Sequence, residues 1–111
     1  MAQFDVHANP GRLRSEAPYL VVVQSSRFDA SPARLVVPLV SRSGFLARPD
    51  TVQNEIAPRF RVEGRDVVLS PLQTFSIAVS RLGPPIASLA DDASAARIIA
   101  AIDEVISTAF R

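Results

Sequence analysis

The stretch that decides the fold is Tyr19-Leu20-Val21-Val22-Val23-Gln24, a continuous apolar run dominated by β-branched residues. Such a run is too short for a lone helix and reads as a strand covered on both faces, in the middle of a sheet. On its N-terminal side, residues 3–8 alternate, with Phe4, Val6 and Ala8 opposite Gln3, Asp5 and His7. That is the period of a strand with one buried face. Asn9-Pro10-Gly11 ends it, and residues 12–18 are polar enough to form a connecting loop.

On the C-terminal side, Arg34 to Val40 is again strand-like but contains Pro38. Proline donates nothing to a ladder, so this strand is expected at an edge or with a bulge. Ser41 to Gln53 reads as a long excursion, and, with Asn9 to Pro18, as an exposed stretch available to a partner. Phe60 and Val62 alternate with Arg59 and Arg61, and Glu63-Gly64 permits a tight turn into residues 66–70, giving a hairpin. Phe75, Ile77 and Val79 form one more alternating face before Gly83-Pro84-Pro85 interrupts.

From Asp91 onward the period changes. Ile98, Ile102, Val105, Ile106 and Ala109 recur at helical spacing with Ile99 beside them, while Arg97, Asp103 and Glu104 take the other side. Asp91, Asp92 and Ser94 are N-cap candidates for a helix of about five turns. The expected fold is therefore α+β and mainly β, a small SH3-like or barrel-type antiparallel sheet of five to seven strands with one C-terminal helix. At 111 residues it forms a single domain. The apolar stripe of the helix exceeds what one small sheet covers, which predicts a homodimer.

Composition narrows function mainly by exclusion. There is no Cys and one His, so neither a disulfide framework nor a Cys/His zinc site is available. Twelve cations, all arginine, against eleven acids leave a net charge of +1, too balanced for a protein that coats nucleic acid phosphates. The arginine forks suit an acidic peptide or protein partner. Four glycines form no phosphate-binding pattern, so no nucleotide cofactor is expected. His7 lacks a nucleophile and an orienting carboxylate nearby in sequence and is expected to be a surface or partly buried structural imidazole. Asp91-Asp92 reads as helix capping rather than magnesium binding. Arg59, Arg61 and Arg65 bracket the hairpin turn as a solvated face. No apolar run is long enough to span a bilayer, and the start Met1-Ala2-Gln3-Phe4-Asp5 lacks the regions of a signal peptide, so the chain is expected in the cytoplasm.

Taken in order, several segments resemble the CcdB family of toxins from bacterial toxin–antitoxin pairs. They are Gln3-Phe4-Asp5-Val6-His7, Tyr19 to Ser25, Arg34-Leu35-Val36-Val37-Pro38-Leu39, Pro58 to Leu69, and Leu82 to Leu89 leading into the final helix. The resemblance implies a barrel-like sheet closed by a helix, assembled as a symmetric homodimer. It implies a non-catalytic toxin that enters the DNA gyrase A subunit gap and traps the cleaved DNA complex, and that needs no cofactor. A CcdA-like antitoxin with a flexible acidic tail would neutralise it, the pair regulating transcription of its own operon, so that DNA is met only through gyrase or with the antitoxin.

In the family a C-terminal Trp-Gly-Ile tripeptide makes the gyrase contact. Aligning the helix through Ile98, Ala101, Ile102 and Ile106 places Ser107, Thr108 and Ala109 at those three positions, followed by Phe110 and Arg111. These five residues are the expected gyrase-contact tip, with Phe110 either a substitute ring or packing. Two other readings remain. One is a CcdB-fold protein without gyrase activity that binds an antitoxin or regulates its operon. The other is an endoribonuclease, since the MazF and Kid toxins resemble this architecture, for which Asp66 with Arg59, Arg61 or Arg65 are the local candidates.

Overall fold

The structure is a computed structural model that describes residues 2–41 and 58–106. Most of the Ser41 to Gln53 excursion and all of Ser107, Thr108, Ala109, Phe110 and Arg111 lie outside the described residues. The strands are β1 (Asp5–Ala8), β2 (Tyr19–Val22), β3 (Ala33–Ser41), β4 (Arg59–Val62), β5 (Arg65–Leu69), β6 (Phe75–Ala78) and β7 (Pro85–Ser88), followed by the helix α1 (Asp92–Ile106). Pairing is antiparallel throughout, in the order β4-β5-β3-β2-β1-β7, with β6 joined to β3 beside that path. The mainly β, α+β architecture expected from the sequence is what forms, as a curled half-barrel sheet with one C-terminal helix.

β2 lies between β1 and β3 and is buried at all four positions, as its unbroken apolar run requires. Each face of the sheet carries its own core. Toward α1, Val6, Val21, Val37, Leu39, Phe60, Val62, Val67 and Leu69 pack against Ile98 and Ala101. On the opposite face Leu20, Val22, Val36, Ile77 and Leu82 pack together.

Pro38 corrects an expectation. β3 is the most central strand, paired with β2 along residues 36–39. Its other edge is shared, β6 taking residues 33–36 and β5 taking residues 39–41. Pro38 falls in the gap between those two partners, its carbonyl accepting from the Ser70 amide at 3.0 Å. A strand residue points its nitrogen and its oxygen to the same edge, so the absent N–H falls where the sheet divides. Neither an outer edge nor a bulge is needed.

β1 is shorter than the alternation of residues 3–8 predicts. Phe4 adopts φ 69°, which swings its ring into the α1-side core, and regular pairing starts at Asp5. Ala8 is exposed rather than inward. β7 escaped the sequence reading because Pro84-Pro85 looked like a breaker. It is an edge strand whose first residue is Pro85, where a missing amide costs nothing, and it meets β1 through a register shift between Val6 and His7.

The β4–β5 hairpin forms as expected, with Val62 opposite Arg65. Both turn residues have positive φ, Glu63 at 51° and Gly64 at 77°, the backbone that matches strand twist in two-residue hairpins. Open space surrounds Gly64, so only its dihedral constrains it. Gly64→Val is expected to cost about 1–2 kcal/mol through the left-handed backbone alone, read as a lower urea midpoint. Gly64→Asn should recover most of it.

α1 is capped by Asp91, whose carboxylate accepts from the Ser94 amide at 3.0 Å. That hydrogen bond holds the Asp91 carboxyl below its ordinary value. Arg97 ties the helix to the sheet: its guanidinium lies 4.5 Å from the centre of the Phe60 ring and donates to the Arg59 carbonyl at 2.6 Å. The expected stripe is only partly covered. Ile98 is fully buried and Ile102 and Val105 are half-buried, whereas Ile106 is 71% exposed.

Candidate functional site

The connection between β1 and β2 is held by Asn9. Its amide donates to the Ala17 carbonyl at 2.8 Å, and its oxygen accepts from the Gly11 amide at 2.9 Å. So braced, residues 9–17 stand away from the sheet and leave a cleft of about 260 Å³, floored by Pro38, Val40 and Phe75 and walled by Leu13, Ala17 and Gln73. Arg12 and Glu16 stand at its rim, and Leu13 and Phe75 are both exposed. This face is the one opposite α1. An apolar floor of that size holds one large side chain, and the rim cation gives an acidic neighbour something to pair with.

Ser25 and Arg34 build the second exposed feature. The 3₁₀ turn Ser26–Phe28 presents Phe28 at 60% exposure. The Ser25 hydroxyl accepts from the Arg27 amide, and the Gln24 amide donates to the Phe28 carbonyl at 3.1 Å. Arg34 is buried and donates to the Ser31, Ala33 and Asp29 carbonyls at 2.7, 3.0 and 2.8 Å. The Asp29 carboxylate stands 4.0 Å away. The hydrogen bonds fix the backbone of the turn that carries this exposed ring. Phe28 was not singled out from sequence, and of the cleft only its wall was, within the Asn9 to Pro18 stretch read as available to a partner. Arg34 carried the only signal, an arginine inside an apolar strand.

The hairpin cations do not converge. Arg59 and Arg61 lie on the face opposite α1, where Arg61 meets Asp66 at 3.5 Å with both side chains largely exposed. Arg65 is on the other face, its guanidinium 5.7 Å from the Tyr19 ring. Tyr19 donates to Glu63 at 3.0 Å, and burial together with that bond raises its phenol above the ordinary value. Asp66 is therefore a solvated carboxylate already spoken for by Arg61, without the desolvation that makes a general base.

His7 overturns its placement on a polar strand face. It is fully buried, on the face opposite α1, with Nδ1 2.9 Å from the Gly83 carbonyl. The reason is the connection leading into β7, whose Gly83 carbonyl bonds the ring and whose Leu82 packs on that face. Asp91 caps α1 as expected. The C-terminal candidates Ser107 to Arg111 lie outside the described residues. Among the described residues no three acids or histidines gather as a metal site, and no helix is long and apolar enough to cross a membrane.

No curated protein matches the chain. The family described as CcdB protein matches residues 3–108, nearly the whole length, including every strand, both faces of the sheet and the helix. The chain belongs to the CcdB family.

Proposed function

We propose that this CcdB-family toxin acts by poisoning DNA gyrase. It binds the gyrase A subunit and traps the cleaved DNA complex without catalysing a reaction, and a CcdA-like antitoxin neutralises it in the cytoplasm. The observation that carries this reading is the family match over residues 3–108. The exposed Ile99 and Ile106 of α1 support a homodimer, since apolar side chains at that exposure gain by burial against a second copy. The cleft beside residues 9–17, with Arg12 at its rim, supports docking of an acidic antitoxin segment. Transcriptional autoregulation would follow from that complex.

Expression without antitoxin is expected to arrest growth and to accumulate gyrase-linked DNA breaks. Purified gyrase from the same host should yield a cleavage complex, and its absence would sink the proposal. Ser107, Thr108 and Ala109 in place of Trp-Gly-Ile favour one second reading, a CcdB-fold protein that binds its antitoxin but has lost gyrase. Removal of Phe110 and Arg111 separates the two: loss of toxicity means that the tip makes the contact. The endoribonuclease reading has no such support, because Asp66 is exposed and paired with Arg61, and Arg65 lies on the other face.

A further inference from the structure

Charges around the cleft opposite α1 are unbalanced. The β1–β2 connection brings the exposed Arg12, Arg14 and Glu16 to one side of β3. β4 brings the exposed Arg59 and Arg61 to the other side, with Asp66 beside them on β5. Asp66 is taken by Arg61 at 3.5 Å. Among the described residues neither Arg12 nor Arg59 has a carboxylate partner. The Arg59 carbonyl is held by Arg97, which fixes the backbone beneath an exposed side chain.

Register links the two cations through the floor of the cleft. Val40 is aligned with Val68 on β5, and Val68 with Arg59 on β4, all three on the same face. Neighbouring strands lie about 4.8 Å apart, so the Arg59 backbone is about 10 Å from the floor at Val40. Arg12 stands at the rim on the other side of that floor. A cleft of about 260 Å³ takes one large side chain. It does not take the stripe of an amphipathic helix, whose anchors recur every three or four residues along a groove. A segment laid across it is therefore extended, and at about 3.3 Å per residue it covers the 10 Å in about three residues.

We propose that the cleft reads a spaced signal in an acidic partner: one large apolar side chain seated on Pro38, Val40 and Phe75, flanked by carboxylates that Arg59 and Arg12 pair from opposite sides. On the acidic-partner reading of this cleft, which the proposal rests on, Arg59 is the residue that sets the spacing. The apolar seat supplies most of the affinity. The arginines supply the choice of partner, because exposed ion pairs are individually weak and select more than they hold.

The chain has no tryptophan, so a tryptophan in a peptide reports its own burial. The probe is a short synthetic peptide with tryptophan at its centre, glutamate three residues to either side, and glycine or serine elsewhere, titrated with the full chain. Its emission should shift to the blue and saturate, and NMR should show the amides of Leu13, Val40 and Phe75 moving in step. Arg59→Glu and Arg12→Glu should each weaken binding about five- to tenfold. Arg81→Glu should leave it unchanged, since Arg81 lies beside the start of β3, the end away from Val40. Moving the glutamates next to the tryptophan should cost as much as reversing Arg59, a comparison that needs no altered protein. No saturable shift, equal binding of a peptide with glutamine for glutamate, equal binding of the peptide with moved glutamates, or an equal loss in Arg81→Glu would each overturn the proposal. So would cleft amides that move with protein concentration alone, which would make a second copy the occupant. Neither gyrase nor an antitoxin enters this assay, so its failure and the failure of the toxin reading are told apart.

Discussion

Replacing Ile98 by Ala is expected to destabilise the protein by about 2–5 kcal/mol, the cost of removing a buried branched side chain and leaving a cavity. Ile98 is fully buried where α1 meets the sheet, packed with strand residues that include Phe60, Val67 and Leu69. With total stability of about 5–15 kcal/mol for a domain, that is a large share. Calorimetry should show a melting point lower by on the order of 10–20 °C. The neighbouring Ile99 is the matched control, with the same side chain on the same helix but 48% exposed. At protein concentrations low enough to keep the chain monomeric, Ile99→Ala should stay within about 1 kcal/mol of the parent. Equal losses from the two would mean that α1 is not seated as described.

The second large effect is expected from Arg34→Met, which keeps most of the apolar stem and removes the guanidinium. Three charge-assisted hydrogen bonds to carbonyls disappear, each worth about 1.5–3 kcal/mol in isolation. Two terms offset part of that. The charge no longer has to be buried, and the buried Nε, which has no partner, is removed with it. The freed carbonyls of Asp29 and Ser31 belong to exposed residues that water can reach, and that of the half-buried Ala33 still accepts from the Gln24 amide. We expect a net loss of about 2–4 kcal/mol, concentrated in residues 25–33. The discriminating readout is limited trypsin digestion, with cleavage after the exposed Arg27 becoming much faster in the variant than in the parent. If the urea midpoint drops while cleavage at Arg27 stays slow, the arginine serves the sheet and not the turn.

What could be read from residues alone follows from how local the deciding physics is. The β2 run, the β4–β5 hairpin and α1 announce themselves because their periods and caps are set by neighbours in sequence. His7, Pro38 and β7 were misplaced or missed for one shared reason. Each depends on which strand lies alongside, and β7 meets β1 from the far end of the chain. Arg34 reads from sequence only as the start of a strand, and nothing in its spacing shows that the turn before it closes around the guanidinium. The cleft is of the same kind, since its floor comes from β3 and β6 and its walls from the β1–β2 connection. The family tip was legible only as a departure from a pattern, Ser107-Thr108-Ala109, and no local rule says what those residues do.

The pairing of Asp5 with Ser88 bears on when the sheet first becomes complete. During translation β1 leaves the ribosome among the first segments and must wait for one of its two neighbours until β7 follows. At about 5–20 residues per second, the roughly 80 residues between them take about 4–16 s to make. β3 waits as well, since β5 and β6 are both synthesised after it. The nascent chain therefore cannot complete its sheet while most of it is still being made. The sheet of this CcdB-family chain closes only when nearly all of it has been made.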